Sequence, residues 1–201
     1  DNLLQGEVNG TEPTYNFDGE PYSHAQATDD LKAVWQKIHS DVSAASYPTL
    51  YNLSTERGRQ LDGMSIVDWI EESVPGGMRS PLGQLLDVAY TIEYGADSSE
   101  QSSLNLLYLL GYRGQGQLRI FGPSNEKYHV VGGNDQISSA LAERLAGQIM
   151  TESVLEKIAL RADGSYSMTF QQGHVSRTVP ADRVILALPF SILRSSVDIS
   201  K

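Results

Sequence analysis

The run Val184-Ile185-Leu186-Ala187-Leu188, closed by Pro189, constrains this chain more than any other stretch. A strand with one wet face alternates apolar and polar residues, so an unbroken apolar run of strand length reads as a β-strand buried on both faces of a sheet. Such a strand needs neighbours on each side and a layer above and below. Few residues follow Pro189, and the chain opens at Asp1 without the strand-turn-helix that usually begins a nucleotide-binding fold. The expectation is therefore the middle part of a longer polypeptide.

The rest of the chain divides by charge. Residues 1–112 carry 17 acidic and 5 basic side chains, and residues 113–201 carry 8 and 10, within a net charge of −10. That balance opposes attraction to nucleic acid and to anionic lipid. The 201 residues are 40% hydrophobic and 20% charged, the balance of a globular chain with a core. No apolar run approaches the ~20 residues that span a bilayer, so no membrane span is expected. No signal-like start is visible, which leaves the compartment open and favours the cytoplasm slightly. Cysteine is absent, which excludes disulfides, thiolate metal sites and a cysteine nucleophile.

Helical periodicity dominates residues 28–110. Leu31, Val34, Trp35, Ile38 and Val42 predict an amphipathic helix of about four turns behind an N-cap at Thr28. Ser65-Ile66-Val67-Asp68 resembles a capping box and predicts a helix that ends at Pro75-Gly76-Gly77. Ser80-Pro81 opens another, and Asp97-Ser98-Ser99-Glu100 a fourth that stops at Gly111.

After Gly114 strands are expected. Gln117–Phe121 and Lys127–Val131 are short and rich in β-formers. Gly132-Gly133-Asn134-Asp135 leads into a helix over Gln136–Ala146. Val154–Leu160, Ser165–Phe170 and Val175–Val179 then predict an antiparallel meander, with Asp163-Gly164 turning the first pair. The fold class is α+β.

The stretch Tyr128-His129-Val130-Val131-Gly132-Gly133-Asn134-Asp135-Gln136-Ile137, followed by Val154 and by Val184-Ile185-Leu186-Ala187-Leu188-Pro189-Phe190, resembles the flavin-containing amine oxidases, a family that includes monoamine and L-amino-acid oxidases. The resemblance runs through the whole chain and corresponds to the family's central part. It implies a mostly helical substrate-domain portion, residues 1–112, followed by a strand-rich segment, residues 113–201, of a glutathione-reductase-like FAD-binding domain. It further implies FAD as cofactor, an amine or amino acid as substrate, and C–N oxidation by hydride transfer to flavin, with oxygen reduced to peroxide. Val154 would lie against the adenine of FAD, and Ala187 and Pro189 close to the dinucleotide. Ile120, Phe121 and Glu126 fall near positions that line the substrate cavity.

Gly132 and Gly133 precede a helix and are cofactor-binding candidates through their amides, although a tight strand-to-helix turn also explains two glycines. The family's phosphate fingerprint Gly-x-Gly-x-x-Gly does not occur, and Gly111-Tyr112-Arg113-Gly114-Gln115-Gly116 lacks its pattern. No catalytic residue is assigned, and the segment alone is expected to be inactive. His24, His39, His129 and His174 show no ligand spacing, so no metal is expected. Two alternatives stay open: a noncatalytic binding domain with an acidic helical surface, and a desaturase-like or protoporphyrinogen-oxidase-like flavoenzyme. Unpaired strand edges predict self-association, a homodimer in the simplest case.

Overall fold

A computed structural model describes residues 12–111, 118–122 and 127–199. The chain forms two compact units, Asp1–His129 and Val130–Lys201. The packing division thus lies at His129–Val130, and the charge division at 112–113.

The first unit opens with a hairpin that periodicity had not marked. Strands β1 (Thr14–Phe17) and β2 (Glu20–Ser23) pair antiparallel around Asp18-Gly19. Both turn residues have positive φ, 54° and 86°, which the Asp-Gly pair tolerates. Tyr22 donates from its hydroxyl to Asp30 Oδ2 at 2.8 Å, which seats the hairpin on helix α1 (His24–Ala45). That helix begins before the expected cap. Ser23 Oγ accepts from Gln26 N–H at 3.2 Å, and Gln26 Oε1 accepts from Ser23 N–H at 2.8 Å, so a complete capping box starts the helix one turn early and leaves Thr28 inside it.

A short helix α2 (Glu56–Asp62), also unexpected, is capped by Thr55, whose Oγ1 accepts from Gly58 N–H at 2.9 Å and donates to Ala44 O at 2.7 Å. It buries only Leu61 and Gly58, too little for an apolar period. Helices α3 (Ile66–Ser73) and α4 (Pro81–Tyr94) start at the expected caps, Ser65 and Ser80. Helix α5 runs Ser103–Leu110 and not from Asp97. The amide of Ile66 donates to the carbonyls of Ser98 and Gln101, each at 3.1 Å, so residues 98–101 form a turn docked on the start of α3. Gly111 ends α5 as expected, its N–H bonded to Leu107 O at 2.9 Å.

These helices close over one core in which Trp69, Tyr90, Leu106 and Leu107 are fully buried. Among the described residues one carboxylate sits within it. Asp41, 3% exposed, accepts from Trp69 Nε1 at 3.0 Å, from Arg57 Nε and Nη2 at 3.0 and 2.8 Å, and from Lys37 at 3.3 Å. Burial pushes its carboxyl up, but the Trp69, Arg57 and Lys37 donors together hold it below the ordinary carboxylate value.

At Gly83, α4 passes close to the backbone that precedes it. A Cβ there would strike the Gly77 carbonyl oxygen and come within 3.1 Å of Ile70 Cγ2. Alanine favours a helix interior over glycine by ~1 kcal/mol, but forcing a methyl against backbone costs about 1–3 kcal/mol, so Gly83→Ala should be net destabilising. A lowered urea midpoint at unchanged slope is the expected result.

The second unit contains α6 (Asp135–Arg144), the meander β3 (Val154–Leu160), β4 (Tyr166–Gln172) and β5 (Val175–Ala181), and α7 (Phe190–Ser196). The order is β3-β4-β5, all antiparallel, with Leu160 opposite Tyr166 and Gln172 opposite Val175. Asp163-Gly164 makes the first turn, Gly164 at φ +82°.

Three expected strands are corrected. Leu118–Phe121 forms no strand: Leu118 and Ile120 are buried in the first unit's core, and Gly122 N–H closes a turn on Arg119 O at 3.1 Å. Gln117 lies outside the described residues. Lys127–Val131 is reduced to a single bridge residue at Tyr128 before a turn. Val184–Pro189 forms no strand and joins no ladder among the described residues, and Ile185 is 94% exposed. Apolar character states a demand for burial and cannot supply a partner. Among the described residues β4 takes the central position of the meander, and the outer edge of β3 is met by Asp198, not by this run.

Candidate functional site

In the second unit, a cavity of about 400 Å³ is walled by the start of β3, the face of β4 and the run 184–188. Val154 and Ala187, distant in sequence, both line it, with Met168 and Phe170 as the floor. Each element brings its residue there for a local reason. The register between β3 and β4 shifts at Leu155/Lys157, a bulge that bends β3 beside the cavity. At the other end Pro189 stands at the N-cap of α7, its carbonyl accepting from Leu193 N–H at 3.0 Å. It cannot continue a ladder and turns the chain away just after Leu188.

The chain then returns along β3. Ile158 N–H donates to Asp198 O and Asp198 N–H to Glu156 O, each at 2.8 Å, in a parallel bridge. Lys157 and Asp198 add an ion pair at 2.8 Å that is half exposed and worth little. Since this bridge covers only Glu156–Ile158, the β3 edge at Val154 has no strand beside it among the described residues. Val154 itself is 63% exposed. Among the described residues no Lys, Arg or His lines the cavity.

Gly132 and Gly133 are outside that lining. They form the turn before α6, at φ +87° and +119°, where a Cβ would strike the Gln136 amide and the Asp135 carboxylate respectively. Gly133 N–H is bonded to Val130 O at 3.0 Å, and Asn134 Oδ1 accepts from Val130 N–H at 3.0 Å. One amide of the pair is therefore committed to the turn.

The expected substrate-side residues belong to the first unit. Ile120 is a core residue whose carbonyl accepts from the buried Tyr90 hydroxyl at 2.8 Å, whereas Phe121 is partly exposed. Glu126 lies outside the described residues. Beside Ile120 is a cleft of about 560 Å³ lined by Arg119, His24, Thr28 and Glu12, which sequence reasoning had not singled out. The apolar-polar-apolar order Leu118-Arg119-Ile120 was its available signal, since it turns Arg119 out while its neighbours are buried. Thr28 Oγ1 is buried with no hydrogen-bond partner among the described residues. No three His, Cys, Asp or Glu among those residues gather closely enough to hold a metal ion, and no helix is long and apolar enough to cross a membrane.

Two comparisons bear on identity. The family described as flavin containing amine oxidoreductase matches residues 8–199. The flavin-dependent L-tryptophan oxidase RebO of Lentzea aerocolonigenes is 39% identical over 64 residues, 32% of this chain and 13% of that protein, so the alignment meets only a small part of the relative's length. With the family match running through nearly all of the sequence, the chain belongs to the flavin containing amine oxidoreductases.

Proposed function

We propose that this chain supplies one wall of the FAD site and part of the substrate enclosure of an oxidase acting on an amine or amino acid. The observation that carries the reading is the convergence of Val154 and Ala187 on one cavity in the second unit. Its apolar walls and the open edge of β3 suit a planar ring with polar edges, which binds by stacking against aliphatic side chains and by backbone hydrogen bonds. With no cation lining it among the described residues, this cavity suits the ring end of a dinucleotide and not its pyrophosphate. The Gly132-Gly133 turn before α6 offers a feature of the phosphate-binding type through the Gly132 amide, which has no hydrogen-bond partner among the described residues.

FAD, when bound, supplies the hydride acceptor for C–N oxidation. This chain's residues would hold and orient it: Val154 and Ala187 against the ring, Pro189 fixing the end of the run that carries Ala187. Phe121, backed by Ile120 in the core, would contribute to an apolar enclosure that keeps water from the reacting carbon.

The test uses the complete natural protein. Native and denaturing mass measurements should differ by one FAD, and added FAD at ~100 times its dissociation constant should stabilise the apoprotein by about 2.7 kcal/mol. Ala187→Leu, which fills the cavity, should lower FAD occupancy about tenfold or more, while an exposed control such as Ser139→Ala leaves it unchanged. No flavin mass and no thermal effect would turn the reading toward a noncatalytic binding domain.

A further inference from the structure

The first unit's carboxylates are least balanced by cations in a stretch that also exposes apolar surface. Between residues 61 and 111 there are eight carboxylates, Asp62, Asp68, Glu71, Glu72, Asp87, Glu93, Asp97 and Glu100, and one cation, Arg79. In the same stretch Val88 and Ile92 stand on one face of α4, 49% and 73% exposed. They line a cleft of about 420 Å³ whose remaining apolar wall is Val67 and Met78, both half-buried, and whose rim is Asp87 and Asp97.

The rim is held in place. Ser98 Oγ donates to Asp87 O at 3.1 Å and shares a 3.2 Å hydrogen bond with Thr91, which ties the 97–101 turn to α4. Among the described residues, the carboxylates of Asp87, Glu93, Asp97 and Glu100 make no ion pair, unlike Asp41 and Glu72. Two aliphatic side chains one helical turn apart, set in uncompensated negative charge, are complementary to the reverse arrangement: an apolar i, i+4 pair with Lys or Arg on its flanks.

We infer that this cleft docks a basic amphipathic helix of a partner polypeptide. A second copy of the chain is the wrong occupant, because a two-fold contact would set the acidic rim against itself. An anionic membrane or nucleic acid is repelled for the same reason.

The experiment is fluorescence anisotropy of the full chain with a labelled Leu/Lys amphipathic peptide, alongside a Leu/Glu counterpart and a scrambled Leu/Lys sequence. The Leu/Lys helix should bind, more weakly at higher salt, and the other two should bind at least about tenfold less tightly. Both Val88 and Ile92 are exposed, so Val88→Ser/Ile92→Ser should keep the thermal midpoint and lose about tenfold or more in affinity. Asp87→Asn/Asp97→Asn should lose severalfold and flatten the salt dependence. Equal binding of the scrambled peptide, or binding unchanged in the serine double variant, would overturn the inference. So would a chain that self-associates in sedimentation and becomes monomeric in that variant, or one that binds neutral phosphatidylcholine vesicles through Ile92 and ignores the peptide.

Discussion

Asp41→Ala should destabilise the helical unit by about 3–5 kcal/mol, because it leaves the Trp69 indole and the Arg57 guanidinium without their carboxylate at a nearly dry site, while Lys37 keeps Glu72 at 3.3 Å. Arg57 loses the carboxylate that offsets its partial burial, and Trp69, 0% exposed, keeps an indole N–H with nothing to accept it. Asp41→Asn separates the parts: an amide oxygen still accepts one hydrogen bond, but the charge is gone, so an intermediate loss is expected. The exposed Lys32–Asp29 pair at 2.6 Å is the control, and Asp29→Asn should shift stability by less than ~1 kcal/mol. The same site sets an acid limit. Its folded pKa is depressed, so its contribution is fully present above the unfolded carboxylate value of ~4 and is lost as pH falls through the lower folded value. Urea unfolding at a series of pH values should therefore show a steeper acid decline for the native chain than for Asp41→Asn. Parallel declines would mean that other carboxylates carry it.

The helical half was largely legible because its start signals are local. Ser65 and Ser80 cap the helices that their sequences announce, since an N-cap needs only a hydroxyl and an amide three residues on. Where the reading slipped, a second signal competed. Thr28 precedes the apolar stripe, but Ser23 with Gln26 forms a reciprocal pair that a lone threonine cannot match. Asp97 has the composition of a cap, yet the carbonyls of Ser98 and Gln101 are drawn to the Ile66 amide, a contact between residues more than thirty apart that no window contains. Asp41 shows the same limit: it sits on a helix face among apolar neighbours, and only the fold brings Arg57 and Trp69 to it.

The strand-rich half was legible by element and less so by partner. The meander follows from β-formers broken by Asp163-Gly164 and Gly173, and β3 spans the expected residues. The run 184–188 carries an equally plain apolar signal and still joins no ladder among the described residues. Hydrophobicity records that a segment must be covered, while the cover is specified by other residues. For the candidate site, sequence resemblance picked out Val154 and Ala187 one by one, and the structure adds that they face one cavity.

The two units should also differ in exchange with solvent, and the difference tests the cofactor reading. Opening free energy follows local burial. Amides of α3, α4 and α5 are anchored by Trp69, Tyr90, Leu106 and Leu107, whereas in the second unit Ile158 is the one buried residue among those described. In the 201-residue chain, hydrogen exchange in α4 and α5 should be slower than in α6 by about a thousandfold or more, some 4 kcal/mol of opening free energy. The slow set reports the helical core and the fast set reports apolar surface that nothing in the unit covers. In the complete natural protein, FAD should then slow exchange selectively at 153–155 and 184–188, because a ligand that binds only the closed state protects the backbone it touches. Removing FAD should restore fast exchange there and leave α4 unchanged. Protection that appears at those two segments together is the outcome expected of a shared ring site. Protection elsewhere, with Val154 and Ala187 indifferent to FAD, would place the cofactor against other residues and leave this cavity as a packing surface.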